Sequence, residues 1–185
     1  YKKYDFNLNI RVIIFIILIG IIGNIIPFFL INWSEQFIQS NTTALLLSVA
    51  PIFTLILAPF LTRDDNFTLL KFVSIFIGLL GVFFIIGFDS IYNFKDNESH
   101  FIPKFAIIIA AMGYVISSIL AYNLKNIDTM TLTTFVITAA AIISIPFMIY
   151  AELFYPSSFN GTSFLTIIYL GLFPTAIAFQ LRFHI

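Results

Sequence analysis

The chain alternates between long apolar runs and short polar connections. Six runs of about twenty apolar residues follow one another from Arg11 to the last residue, at intervals of about thirty residues. A hydrocarbon core about 30 Å thick is crossed by roughly 20 helical residues. The runs are apolar all round rather than on one face, which is typical of helices surrounded by lipid and by other helices. They lack the alternation of a transmembrane barrel. The pattern predicts an all-α, polytopic transmembrane helix bundle.

Polar connections separate the predicted spans. Charged, amide and hydroxyl residues, with Gly and Pro, separate the runs, and the longest polar connection runs from Asp89 to Pro103. The six spans are placed at about 11–33, 42–62, 68–88, 102–122, 129–151 and 163–183.

The basic residues fall mainly on one side of this arrangement. The chain is 60% hydrophobic, 10% charged and formally neutral, so it offers no basic patch and no nucleic-acid partner is expected. Seven Lys and Arg residues lie at one set of span ends and two at the other, so the positive-inside rule predicts that residues 1–11 are cytoplasmic. The cytoplasmic set is Lys2, Lys3, Arg11, Arg63, Lys71, Lys125 and Arg182, and the opposite set is Lys95 and Lys104.

The first and last spans resemble each other. Residues 18–30 align with residues 169–181, and Gly20 then matches Gly171, an offset of 171 minus 20, or 151 residues. This offset corresponds to about five spans, and an odd number of spans places the two copies in opposite orientations. Inverted repeats are a mark of secondary transporters.

Three stretches resemble the EamA family of the drug/metabolite transporter superfamily. They are Gly20–Leu30, Thr43–Ala58 with its central Pro51, and Asp65–Val82. Residues 112–152 and 164–185 continue the resemblance, which covers nearly the whole chain. Asp64-Asp65 stand where the family usually has Gly-Glu after its fourth span. A carboxylate is therefore kept there, on the shorter side chain of Asp.

The resemblance implies ten spans built as two five-helix inverted repeats, of which this chain supplies spans three to eight. Residues 1–88 would end the first repeat, 89–101 would connect the repeats, and 102–185 would begin the second. A first residue other than Met and a last apolar run without a polar tail also lead us to expect a fragment. The implied activity is transport of an amino acid, a related metabolite or a drug, most simply by export.

Polar side chains within apolar spans are the candidate cavity residues, because a buried amide or hydroxyl costs several kcal/mol unless it is paired or hydrated. Asn24 and Gln180 are the most informative, since amides cost more and these two lie on the repeat-related spans. The alternatives are interhelical hydrogen bonds, hydroxyls bonded within their own helix, tolerated proline kinks and interfacial aromatic residues. The candidate set is Asn24, Asn32, Trp33, Ser48, Pro51, Tyr114, Ser118 and Gln180.

Catalytic and cofactor motifs are not found in the sequence. With no cysteine and two histidines, a metal site is not expected, and neither is a cofactor or an enzymatic activity. The expected partners are a small-molecule substrate and the lipid bilayer, with a homo-oligomer left open, and the expected location is the bacterial inner membrane. A membrane-embedded lipid-modifying enzyme and a non-catalytic membrane subunit are the alternatives.

The predicted orientation can be tested by cysteine labelling, because the chain contains no native cysteine. Asp65→Cys should be protected from an impermeant maleimide on intact cells, and Asn97→Cys should be labelled, since the two positions lie on opposite sides of the membrane. Both should react in permeabilised cells. The reverse pattern on intact cells would invert the topology.

Overall fold

The computed structural model describes residues 9–62, 68–86, 101–154 and 160–177. Within these ranges every element is a helix or a turn between helices, so the predicted all-α class is confirmed. Gln180, Asp64-Asp65 and most of the predicted inter-repeat connection lie outside the described residues.

The helices follow the predicted spans closely. The first span consists of α1 (Ile10–Gly20), a π-helical turn (Ile21–Ile25) and α2 (Ile26–Ser34). The second is divided into two shorter helices, and the sixth ends in a second π-helical segment. The remaining elements are α3 (Ser40–Leu47), α4 (Ala50–Leu61), α5 (Leu69–Ile86), α6 (Phe101–Tyr122), α7 (Thr129–Phe154), α8 (Gly161–Leu170) and the π-helical segment Gly171–Ile177.

Four helical segments among the described residues are long and apolar enough to cross a membrane. They are Ile10–Ser34, Ser40–Leu61, Phe101–Tyr122 and Thr129–Phe154, each beginning and ending within a few residues of a predicted span. The other two predicted spans correspond to shorter apolar helices in the described part, Leu69–Val82 and Gly161–Phe173. The chain is a multi-pass membrane protein.

Side chains at two helix starts explain where those helices begin. The Asp128 carboxylate accepts hydrogen bonds from the backbone N–H and the hydroxyl of Thr131 at 3.2 and 3.3 Å. The Asn160 side-chain oxygen accepts in the same way from the N–H and the hydroxyl of Ser163, both at 2.8 Å. The first N–H groups of a helix have no intrahelical acceptor, and these caps supply one.

Proline interrupts the second span. Turn residues Ser48 and Val49 separate α3 from α4, and Pro51 occupies the first turn of α4. Proline has no N–H, so it cannot bond the carbonyl of Leu47 four residues earlier, whereas in the first turn of a helix the missing donor is harmless. The kink expected at Pro51 is present as a break between two helices.

The chain forms two compact units, residues 1–21 with 123–185, and residues 22–122. This grouping is distinct from the repeat boundaries, which stay a prediction. In the second unit α6 is central, since α2, α3 and α4 all pack against it, and α5 packs on α3 and α4. Ile38, Leu46 and Ile107 form a buried apolar cluster there.

The contact between α2 and α6 is close and antiparallel. A Cβ atom added to Gly23 would overlap the side chain of Ser117, and one added to Gly113 would lie 2.7 Å from the Ile22 carbonyl oxygen. Small residues allow backbones to approach in this way. Further along the pair, the buried Ser34 hydroxyl donates to the carbonyl of Pro103 at 3.0 Å.

The other unit contains a second close helix–helix contact. α1 packs against α7, and a Cβ atom on Gly20 would lie 3.2 Å from the Val136 carbonyl oxygen and 3.6 Å from the Ala140 side chain. Val136 is fully buried. Both units thus use glycines of the first span where that span meets a neighbouring helix.

Gly113→Ala should lower the unfolding temperature of the purified protein. The added methyl would meet the backbone of Ile22, and overpacking of this kind costs about 1–3 kcal/mol, more than the helix-propensity gain of up to about 1 kcal/mol. Circular dichroism during heating in detergent measures the change.

Gly78→Ala is the matched control, because a Cβ atom there meets nothing within 4 Å. Its unfolding temperature should stay level or rise slightly. Equal unfolding temperatures for Gly113→Ala and the unaltered protein would show that the α2–α6 contact is not tight.

Candidate functional site

The π-helical turn at Ile21–Ile25 places one polar side chain in the middle of the first span. Asn24 lies two residues from residue 22, the midpoint of Ile10–Ser34. It is 5% exposed, and its side-chain nitrogen has no hydrogen-bond partner among the described residues. A buried, unpaired donor costs about 1–3 kcal/mol. The turn therefore presents a donor that lacks an acceptor.

Pro27 contributes to the change of helical form. Because it has no N–H, the carbonyl of Gly23 cannot receive the usual α-helical hydrogen bond. A π turn shifts the pairing to the residue five positions ahead, and such turns are frequent at functional sites. Gly23 and Ile22 pack directly on α6, so the residue beside them, Asn24, is held by the same contact.

A second π-helical segment occurs at the repeat-related position. With the 151-residue offset, residues 21–25 correspond to 172–176, and the observed segment is Gly171–Ile177. Pro174 lies within it and cannot donate to the Leu170 carbonyl. The Thr175 hydroxyl donates to that carbonyl instead, at 2.9 Å. The two spans that resemble each other in sequence change helical form at the same place.

Two predicted hydroxyl residues bond within their own helical segments. Ser48 donates to the carbonyl of Leu45 at 2.6 Å, and Ser118 donates to the carbonyl of Tyr114 at 3.1 Å. Tyr114, Ser48 and Ser118 are all half-buried. This is the local bonding expected as the alternative to a role in the cavity.

The remaining candidates lie away from the π turn along the chain. Pro51 is exposed at the start of α4, and Asn32 is exposed near the end of α2. Trp33 is half-buried, with its ring centroid 5.3 Å from that of Phe37. Gln180 lies outside the described residues, so of Asn24 and Gln180 only Asn24 has a described environment.

Two buried threonines were missed by the sequence prediction. The hydroxyls of Thr43 and Thr133 have no hydrogen-bond partner among the described residues, and the side chains are 2% and 5% exposed. Several other described hydroxyls in the spans, such as that of Thr54, bond a carbonyl one turn earlier. No sequence signal separates the two groups, because packing decides which rotamer a threonine adopts.

Acidic and histidine residues do not cluster in the described ranges. No group of three His, Cys, Asp or Glu side chains suited to a metal ion is found there. The chemistry available around Asn24 is hydrogen bonding within an apolar setting.

Comparison with known proteins finds a family match in the first part of the chain. Residues 1–87 match the sequence profile of the EamA-like transporter family. The resemblance to the EamA family that was drawn from the residues is thus confirmed.

A curated relative aligns with most of the chain. It is an uncharacterized transporter, YoaV, from Bacillus subtilis (strain 168), 20% identical over 157 residues. The alignment covers 84% of this chain and 52% of the relative, so the chain spans about half the length of the relative it matches. No solved structure matches significantly.

Asn24→Ala should leave the unfolding temperature unchanged or raise it, because it removes a buried donor that has no acceptor to lose. Ser34→Ala is the contrast, since it removes the hydrogen bond to Pro103 and should cost about 1 kcal/mol. Thermal unfolding in detergent measures both. If Asn24→Ala destabilises the protein as much as Ser34→Ala does, the amide has a structural partner.

Proposed function

We propose that this chain is part of a secondary transporter that moves a small metabolite, such as an amino acid or a related compound, out of the cell by alternating access. The match to the EamA-like transporter family supports the transport activity, and the long apolar helices support the location in a membrane. The substrate class, the direction and the mechanism are our inference. Residues 1–11 are assigned to the cytoplasm, and the membrane to the bacterial inner membrane.

The observation that carries the proposal is the unpaired amide of Asn24. Its nitrogen is buried at mid-span with no acceptor among the described residues. A solute with a carbonyl, carboxylate or hydroxyl oxygen would supply the missing acceptor. Transporter sites are commonly built near the bilayer midplane from helices that depart from α-helical form, and the π turn at Ile21–Ile25 is such a departure.

The second π-helical segment supports a repeat-related arrangement. It falls where the 151-residue offset places the counterpart of the first π turn. An internal repeat of five spans would be inverted, and inverted repeats allow one half to rock against the other around a fixed site. Gln180, in the predicted sixth span, remains a proposed substrate-cavity residue.

The break in the second span is a second proposed hinge. α3 and α4 are joined by the turn at Ser48 and Val49, so the two halves are not tied by a continuous ladder of backbone hydrogen bonds. Hinges are commonly a few residues at element ends that absorb changes in φ and ψ. Pro51 is the residue that fixes the break at this position.

The transport experiment uses inverted vesicles carrying the full-length protein and a panel of labelled amino acids and small metabolites. Gradient-dependent movement of one solute class is expected. Asn24→Ala should raise the KM for that solute by about 2- to 10-fold, because it removes one hydrogen bond worth about 0.5–1.5 kcal/mol. Gln180→Ala should weaken transport of the same solute.

Thr134→Ala is the control, because its exposed hydroxyl bonds the carbonyl of Met130 in its own helix. Its KM should match that of the unaltered protein at equal membrane insertion. Transport that is insensitive to Asn24→Ala would remove Asn24 from the site, and the absence of movement of any solute by well-folded protein would count against the carrier.

A further inference from the structure

Buried side chains close one end of the unit formed by residues 22–122, where α2 ends and α3 and α6 begin. Ser34, the last residue of α2, is fully buried, and its hydroxyl donates to the carbonyl of Pro103, the third residue of α6, at 3.0 Å. Three apolar side chains pack together at the same end, namely Ile38, Leu46 and Ile107. These five residues are called the end plug below.

One hydroxyl within the end plug has no partner. Thr43 lies on α3 three residues before Leu46, and therefore on the same face of the helix. Its side chain is 2% exposed, and its hydroxyl has no hydrogen-bond partner among the described residues. Because neighbouring side chains already enclose it, a further helix packed outside could not reach it. The closed arrangement thus leaves Thr43 less well satisfied than contact with water would.

The two hydroxyls act on the end plug in opposite directions. The hydrogen bond of Ser34 to Pro103 is lost when α2 moves away from α6, so it stabilises the closed arrangement. The hydroxyl of Thr43 gains water when the same helices separate, so it favours the open arrangement. Opposing contributions of this kind bring two conformations close in free energy, which is what a gate requires.

The α2–α6 contact is tighter at its middle than at the end plug. A Cβ atom on Gly23 would overlap Ser117, and one on Gly113 would lie 2.7 Å from the Ile22 carbonyl oxygen. Ser34 lies eleven residues beyond Gly23, or about 16 Å at 1.5 Å per helical residue. The interlocked backbones at the middle supply a pivot, and the hydrogen bond at the end is the part that opens.

We propose that the end plug is a gate of the transporter, closed in this structure, with the Ser34–Pro103 hydrogen bond as its latch and Thr43 as the group that favours opening. The gate rests on the proposed transport function. In the predicted repeat arrangement α2 and α3 belong to the first repeat and α6 to the second, so rocking of the repeats changes this contact. The charge distribution places the gate on the side of the membrane opposite residues 1–11.

The test is thiol labelling of the purified full-length protein in detergent, with Ala106→Cys as its single cysteine and dithionitrobenzoate as the reagent. Ala106 is buried three residues after Pro103, on the same face of α6, so its labelling rate follows the open fraction. Ser34→Ala should speed labelling by about 2- to 10-fold, because it removes one hydrogen bond. Thr43→Val keeps the shape without the hydroxyl and should slow labelling by about fivefold or more.

Two matched controls separate the gate from general loosening of the fold. Ala121→Cys reports the opposite end of α6 and is 6% exposed, as is Ala106, so its labelling should not respond to Ser34→Ala or Thr43→Val. Thr54→Val makes the same change in the same predicted span, where the hydroxyl bonds the carbonyl of Ala50 at 3.1 Å. It should leave the labelling of Ala106→Cys unchanged.

Transport in inverted vesicles connects the gate to the proposed function. Thr43→Val should lower the maximal transport rate at equal membrane insertion, because it holds the gate closed. Thr54→Val should match the unaltered protein. A normal maximal rate for Thr43→Val, together with slower labelling, would overturn the gate, since the opening would then lie outside the transport cycle.

Labelling also distinguishes failure of the gate from failure of the proposed function. Labelling of Ala106→Cys that is insensitive to both Ser34→Ala and Thr43→Val would overturn the gate, while transport and the role of Asn24 would stand. Equal acceleration at Ala106→Cys and Ala121→Cys would overturn it as well, because it would report unfolding. If the unaltered protein moves no solute, the proposed function fails, and the gate fails with it whatever the labelling rates.

Discussion

In a hydrocarbon environment a backbone carbonyl that loses its helical partner has no water to replace it, and at three of the prolines in the described residues this loss coincides with a departure from the α-helix. Pro27, Pro51 and Pro174 each lack the N–H that would bond the carbonyl four residues earlier. The structure has a π turn before Pro27, a break between helices before Pro51 and a π-helical segment around Pro174. These departures mark the positions at which the described spans leave the regular α-helical form.

Proline alone does not produce these departures. Pro59 and Pro146 lie inside α4 and α7, which continue through them. What distinguishes the π turn before Pro27 is its packing, since Gly23 and Ile22 lie against α6 at Ser117 and Gly113. The close contact fixes the backbone beside Asn24, and the amide nitrogen is then buried without an acceptor among the described residues.

The all-α class and the spans were predictable because the length and polarity of a membrane helix are set by the bilayer, independently of which helices pack together. The second span could be expected to bend, since Pro51 acts through its own backbone. Asn24 could be singled out because an amide at mid-span is costly wherever it points.

The finer features depend on tertiary contacts and were not predictable. The alignment of residues 18–30 with 169–181 matched the two segments but gave no sign of π-helical form, which follows from a shift in hydrogen bonding rather than from residue type. Thr43 and Thr54 lie in one predicted span, yet only Thr54 bonds its own helix. Their difference arises from the neighbours that pack around α3 and α4.

The unpaired amide also bears on how substrate binding would drive a transporter of this kind. A ligand shifts a conformational equilibrium only by its difference in affinity for the two states. A state that buries Asn24 without an acceptor carries a penalty of about 1–3 kcal/mol, and a bound solute that accepts its hydrogen bond removes that penalty. Because 1.4 kcal/mol corresponds to a factor of ten, this single contact would shift the balance between states by about 5- to 150-fold. Under the proposed function, the unmet hydrogen bond of the Asn24 amide would be sufficient to link solute binding to a change of transporter conformation, provided that the alternative conformation leaves Asn24 hydrated.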